Sequence, residues 1–327
     1  MKYLITGITG FVGPTLAANL LISGHEVHGL VRGTNGREMD LLDILSPIDL
    51  QKIKFHKCDL QHYAGLKKIM EAEQFDGIYH LAAQSHPTVS FADPIMTFQD
   101  NVMGTVNLVE AIAGSDTVLQ FTSTSEVYGD FCKDNGMVSE TDPIQPVNPY
   151  GCSKAAMDLY IQERIKNGYI KGFITRAFSH TGPRRGKNFS ISSDAYQLAL
   201  IKQGLQEPIL KIGNLQTERV VIDVRDVVNA YMLLMDNAMK ANGHVFNVCG
   251  TEVRKMEYFT DTLIDIAGVK VEKRIHPPFY RDVDIKVQIG DSTKLNALTG
   301  WKAEIPIAVT LKNLYTYWLN KTDRHNY

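Results

Sequence analysis

The chain has little of what marks several protein classes. Its 327 residues include four cysteines, Cys58, Cys132, Cys152 and Cys249, and no two stand in a CxxC spacing. That argues against a zinc ribbon or a CxxC redox motif, and scattered thiols suit a reducing, cytoplasmic setting. Charge of either sign is not in excess, with a formal net charge of −2. No general attraction to nucleic acid or to an anionic membrane is expected, so a phosphate ligand must be held by locally placed Arg, Lys and backbone N–H groups. Long apolar runs are missing too. The most apolar later stretch, Val220–Met235, is broken by Asp223, Arg225 and Asp226 and is not a membrane span. The opening shows no signal-peptide pattern, because Met1-Lys2 leads straight into a short apolar run and a glycine turn. Internal repeats and low-complexity segments are absent.

What is present is alternation. Short β-rich runs occur at Tyr3–Thr6, Glu26–Val31, Ile53–His56, Gly77–Leu81, Val118–Thr122 and Phe173–Thr175. Helical patterns lie between them at Thr15–Ile22, Leu66–Glu73, Asp100–Ile112 and Lys154–Ile165. Strands alternating with helices predict βαβ units, and right-handed crossovers then give a doubly wound parallel sheet. After Ala177 the pattern changes to Gly-, Pro- and Arg-rich loops, with Val220–Met235 and Val245–Val248 returning to the sheet as a helix and a strand. The expected fold is therefore α/β: a Rossmann-type sheet, residues 1–177 with 218–250, and a smaller C-terminal α/β substrate lobe, residues 178–217 with 251–327.

The opening Tyr-Leu-Ile-Thr-Gly-Ile-Thr-Gly-Phe-Val-Gly places Gly7, Gly10 and Gly13 between the first strand and the first helix. A sharp turn, close approach of backbone to a pyrophosphate and tight helix–sheet packing each favour glycine there. The helix N-terminus then offers N–H groups and a partial positive charge to the phosphates. Phe11 and Val12 lie in the same turn. The second strand ends without an acidic residue and is followed by Arg32, a partner for a 2′-phosphate, which favours NADP over NAD. Asp59 and Leu60 are placed to border the adenine. Leu81, which ends the fourth strand, borders the cofactor, and Ala82 and Ala83 after it leave room for the cofactor to pass.

The most specific run is Asn148-Pro149-Tyr150-Gly151-Cys152-Ser153-Lys154. Asn148 suits an N-cap and Pro149 the first helical turn. Tyr150 and Lys154 then share one helix face. An ammonium beside a phenol is expected to lower the tyrosine pKa, giving a base for a sugar hydroxyl. The preceding strand ends Thr122-Ser123-Thr124-Ser125-Glu126, so Thr124 and Glu126 are expected at the same site, at the carboxyl ends of the strands. His80, on an apolar strand, reads as a core histidine. His180 follows a strand end and is a candidate neighbour of the nicotinamide.

At these residues the sequence resembles the extended short-chain dehydrogenase/reductase superfamily, closest to the GDP-mannose 4,6-dehydratases. Gly7, Gly10, Gly13, Tyr150 and Lys154 carry the superfamily pattern. Ala83-Gln84-Ser85-His86, Ser123-Thr124-Ser125-Glu126 and Pro183-Arg184-Arg185-Gly186 look like the dehydratase group. The resemblance implies a cycle in which Tyr150 takes the O4 proton while hydride passes from C4 to NADP. Glu126 then removes the C5 proton, water leaves from C6, and the hydride returns to C6. It assigns catalysis to Thr124, Glu126, Tyr150 and Lys154. Substrate contacts are assigned to Ser85, Ser125, Glu126, Ser179, Asn188, Arg219, Arg281 and Asp284, with no metal ligand.

Some positions depart from the dehydratase group. Phe11-Val12 and Thr181-Gly182 look more like the GDP-4-keto-6-deoxymannose reductases. Ser179 replaces an asparagine, and Ile191-Ser192-Ser193-Asp194 lacks a basic pair. The leading expectation is a 4,6-dehydratase for GDP-mannose or a GDP-manno-heptose. An NADPH-dependent reductase is the alternative, with another nucleotide-sugar epimerase behind it. The resemblance also implies a homodimer, formed by the helices at Asn101–Ile112 and Lys154–Ile165. A tetramer through the loop Arg32-Gly33-Thr34-Asn35-Gly36-Arg37 stays open.

Overall fold

A computed structural model describes residues 1–33, 36–132, 136–279 and 285–323. Its centre is a seven-stranded sheet. The strands are β1 (Lys2–Thr6), β2 (Glu26–Val31), β3 (Lys54–Lys57), β4 (Gly77–His80), β5 (Val118–Thr124), β6 (Lys171–Ala177) and β7 (Val245–Val248). Their spatial order is β7-β6-β5-β4-β1-β2-β3, and every pairing is parallel. The chain moves outward from β1 to one edge, then crosses back to β4, so the strand order reverses between β1 and β4. Ligands of such sheets bind at the carboxyl ends beside this reversal.

Both faces are covered, which is why the strands read as continuous apolar runs rather than alternating ones. One face packs on α1 (Gly13–Ile22), through Leu16, Ala17 and Leu20, and on α6 (Val224–Asp236), through Val227, Val228, Tyr231 and Leu234. The other packs on α2 (Tyr63–Glu73), α3 (Gly104–Ile112) and α4 (Pro149–Lys166), through Leu66, Leu108, Ile112, Met157 and Ile161. A third cluster joins α5 (Ser190–Lys202), α7 (Met256–Ala267) and α8 (Ile307–Asp323), with Leu198, Phe259 and Leu311 fully buried. The tail is not confined to that cluster. Leu295 and Trp301 pack into the first core, and Trp301 Nε1 donates to the Asp226 carbonyl at 2.9 Å.

The start of α4 forms as its sequence requires. Asn148 Oδ1 accepts from Gly151 N at 2.7 Å, and Pro149 takes the first turn, where its missing N–H costs nothing. The segment expected as one helix from Asp100 begins instead with a π-helical turn, Gln99–Met103, before α3. The extra residue in that turn lets Asn101 reach sideways rather than lie along the helix.

Candidate active site

At the carboxyl ends of β1, β4 and β5 the surface opens into a cleft of about 1150 Å³. One end is built from backbone. Gly7 has φ 72°, and a Cβ there would lie 2.8 Å from the Ala82 nitrogen. A Cβ on Gly13 would lie 2.4 Å from the Ile8 carbonyl oxygen. Gly10 N bonds back to the Gly7 carbonyl at 2.9 Å, closing the turn, and no side chain caps the α1 N-terminus. This is a cradle that any side chain would fill, followed by free helix N–H groups, and it fits a dinucleotide pyrophosphate. Phe11, Val12, Asp59, Leu60, Leu81, Ala82, Ala83 and His180 all line this cleft. Arg32 stands at its rim, mostly exposed, with Nη1 3.2 Å from Asp100 Oδ2. Arg37 shares that rim.

The middle of the cleft is built from side chains. Thr124 ends β5 and Tyr150 opens α4, and both line the cleft, where the Thr124 hydroxyl favours the Tyr150 phenolate. The same Thr124 oxygen accepts from Glu126 N at 3.3 Å. Glu126 lines the cleft, and its Oε2 accepts from Asn148 Nδ2 at 2.7 Å. Asn148 thus does two jobs, capping α4 through its oxygen and orienting the carboxylate through its amide nitrogen. Lys154 is buried one turn beyond Tyr150, with Nζ 4.1 Å from the centre of the Phe121 ring.

Burial governs the charges here. It pushes Tyr150 up to about 12 and Lys154 down to about 7. The expected lowering of the tyrosine by its lysine is therefore not found in the protein alone, where the ammonium rests on an aromatic face. The positive charge that does favour the phenolate belongs to Arg185. Burial also holds His180 down at about 4 and, most strongly, His80 at about 3. His180 is a neutral ring stacked on Phe11, 5.7 Å between centres, and its Nδ1 donates to the Phe178 carbonyl.

Of the residues assigned to the substrate, Ser85, Ser125, Ser179, Asn188 and Arg219 line the same cleft. The Arg219 guanidinium also donates to the carbonyls of Glu218, Ile285 and Lys286. Arg281 and Asp284 lie outside the described residues.

Two residues escaped the sequence reading. Arg185 sits in a motif noted only for its resemblance, yet its guanidinium enters the cleft between the rings of Phe189, at 3.5 Å, and Phe11, at 4.9 Å. Its neighbour Arg184 instead fastens the loop to the glycine turn, bonding Asp43 at 2.8 Å and the Thr9 carbonyl at 3.3 Å. The second is Asn101. Its amide exchanges two bonds with the Gln84 backbone, at 2.7 and 2.9 Å, and donates to Ser153 Oγ at 2.9 Å. Ser153 in turn donates to the Tyr150 carbonyl at 2.8 Å. A polar residue at the head of an apolar helical run was the available signal.

Known proteins share this arrangement. Residues 4–314 match the family model described as GDP-mannose 4,6 dehydratase. The chain is 32% identical over 320 residues to the GDP-6-deoxy-D-mannose reductase of Pseudomonas aeruginosa, covering 97% of each. It is 32% identical over 317 residues to GDP-mannose 4,6 dehydratase 2 of Arabidopsis thaliana, covering 92% of this chain and 82% of that one. A solved structure of RMD from Pseudomonas aeruginosa complexed with NADPH superposes with a TM-score of 0.83 at 29% identity, over 98% of this chain and 100% of the other. With its doubly wound sheet, glycine cradle and Tyr150–Lys154 helix, the chain belongs to the GDP-mannose 4,6-dehydratase family of extended short-chain dehydrogenase/reductase enzymes.

Proposed function

We propose that the protein is a 4,6-dehydratase of a GDP-linked manno-sugar, GDP-mannose or a GDP-manno-heptose, with NADP as its resident cofactor. The observation that carries this reading is Glu126, a carboxylate facing the cleft beside Tyr150 and Thr124 and oriented by Asn148. Elimination of water from a 4-keto sugar needs a base for the C5 proton, which the ketone acidifies. Reduction of a ketone needs none. When bound, NADP supplies the hydride acceptor and donor. Tyr150 exchanges the O4 proton, with the Thr124 hydroxyl beside it favouring the phenolate. Arg185 stabilises negative charge on that oxygen from between the rings of Phe11 and Phe189. Glu126 takes the C5 proton and passes it to the C6 hydroxyl, which leaves as water, and C5 is then reprotonated from solvent through Glu126, balancing the O4 proton that Tyr150 releases. Net oxidation is zero.

Arg32 and Arg37 at the rim, with no acid at the end of β2, support NADP over NAD. The reading divides the chain into a nucleotide-binding part, residues 1–177 with 218–250, and a sugar-binding lobe. It also includes a homodimer. Phe91, Ile95, Phe98, Met103 and Leu159 are exposed on neighbouring helical segments, an apolar face that a second copy would cover. Among the described residues no helix is long and apolar enough to cross a membrane.

Incubation with GDP-mannose alone tests the reaction. Loss of one water, without net change in nicotinamide absorbance, is the expected result, and Glu126→Gln should stop it. A second reading, an NADPH-dependent 4-keto reductase, is favoured by Phe11, which closes one side of the cleft against His180 and Arg185. Under that reading GDP-mannose is untouched, while a GDP-4-keto-6-deoxymannose consumes NADPH.

A further inference from the structure

Outside the cleft, β2 and β3 turn two histidines toward one another. Leu30 pairs in register with His56, and His28 with Lys54, so the two imidazoles are diagonal neighbours on one face of the sheet. Their rings lie 5.0 Å apart at 23°. His28 Nδ1 stands 2.8 Å from His56 Nε2. Glu73, the last residue of α2, brings Oε2 to 3.9 Å from His28 Nδ1 and Oε1 to 3.9 Å from His56 Nε2. The three donor atoms lie within 4.8 Å of one another. None of the three residues lines the cleft.

We propose that His28, His56 and Glu73 form a site for a divalent transition-metal ion, with zinc the best match. Two imidazoles and a carboxylate are a donor set that zinc favours, with a fourth position left to water. His28 Nε2 donates to Glu26 at 2.8 Å, which fixes the ring and turns the Nδ1 lone pair inward. Phe75 meets both imidazoles edge-on and forms an apolar wall behind them. One proton lies between the facing nitrogens. When His56 carries its hydrogen on Nδ1 instead, both nitrogens offer lone pairs and no proton need be lost.

The spacing is close to what a metal requires. Tetrahedral zinc sets two nitrogens ~3.3 Å apart. The His28–His56 pair must therefore open by about half an ångström, and Glu73 must swing one oxygen inward by somewhat more. Glu73 already lies among cations. Lys54 Nζ is 2.5 Å from Oε1, and Lys2 Nζ is 3.5 Å from Oε2. Lys54 is 58% exposed and can swing into water when an ion arrives. Competition from these ammoniums makes the site weaker than a closed structural zinc site. The His56 and Glu73 side chains are 11% and 14% exposed, so an ion has a path in.

Zinc titrated by calorimetry into chelator-treated, full-length protein tests this. The expected result is one ion per chain with a dissociation constant of about 10 µM or tighter, and a Tm that rises with zinc concentration. His56→Gln and Glu73→Gln, each shown to be folded by its own melting curve, should weaken binding at least ten-fold. Cys152→Ser, which removes the exposed thiol, should leave it unchanged. No binding tighter than about 100 µM, or binding that survives both His56→Gln and Glu73→Gln, would overturn the proposal and leave a proton-sharing histidine pair. Neither outcome touches the reading of the cleft, because the readout is metal binding rather than turnover.

Discussion

The two ends of the cleft are made of different material. The end proposed for the cofactor is floored by backbone: Gly7, Gly10 and Gly13 form its turn, where an added Cβ would crowd neighbouring backbone. The sugar end is side chain: Thr124 from β5, Tyr150 from α4, Arg185 from a loop beyond β6, with Glu126 held by Asn148. A backbone-built site is a property of one short segment, and altering it disturbs the fold as well as the ligand. A side-chain-built site is assembled from distant segments, and altering it leaves the fold standing. Mutations should therefore separate the two ends cleanly.

The largest effect is expected from Tyr150→Phe and Glu126→Gln, each lowering turnover by about a thousand-fold or more. Cofactor affinity, measured by fluorescence titration, should change less than three-fold (roughly 0.6 kcal/mol). Gly13→Ala should behave in the opposite way. Its new Cβ meets the Ile8 backbone at 2.4 Å, so denaturant melts should show about 2–4 kcal/mol of lost stability together with lost cofactor binding.

Lys154→Met separates function from stability. Lys154 is held at about 7 by burial, well below its unfolded value. Between that value and roughly pH 10 the unfolded chain binds the extra proton, so this group's contribution to stability rises with pH across the window. At pH 7 the methionine variant should be inactive yet more stable, by about 1–4 kcal/mol, and melts repeated near pH 10 should show the gain shrinking toward zero.

Arg185→Met should cut kcat/KM for the nucleotide-sugar by about a hundred-fold, through loss of charge beside Tyr150, without changing cofactor binding. The smallest effect is Arg32→Ala. It should weaken NADP about ten-fold relative to NAD, and cost under about 0.5 kcal/mol of stability because its pair with Asp100 is exposed.

The same contrast explains what the sequence made legible. The glycine turn, the strand runs and the Asn148–Lys154 helix start each arise from local rules. Glycine positions, capping and short apolar runs are written in neighbouring residues, so the β2 expected at Glu26–Val31 has its observed bounds. Arg185 and Asn101 obey no such rule. Arg185 matters because a loop after β6 folds back over Phe11, 174 residues earlier, and Asn101 because a π-helical turn re-aims it at Gln84 and Ser153. The pKa of Tyr150 departs from the sequence expectation for a related reason. Spacing puts Lys154 on the same helix face, but only the packing reveals that its ammonium lies on Phe121 and that burial outweighs attraction.

The central claim is that Glu126 exchanges a proton at C5 while water is eliminated. The most direct measurement is the reaction of GDP-mannose in heavy water, followed by mass spectrometry and proton NMR of the product. A 4-keto-6-deoxy sugar that has lost one water and carries one deuterium at C5, with neither formed by Glu126→Gln, is the predicted result. Recovery of GDP-mannose without water loss and without deuterium, from a protein that consumes NADPH on a supplied 4-keto sugar, would contradict it.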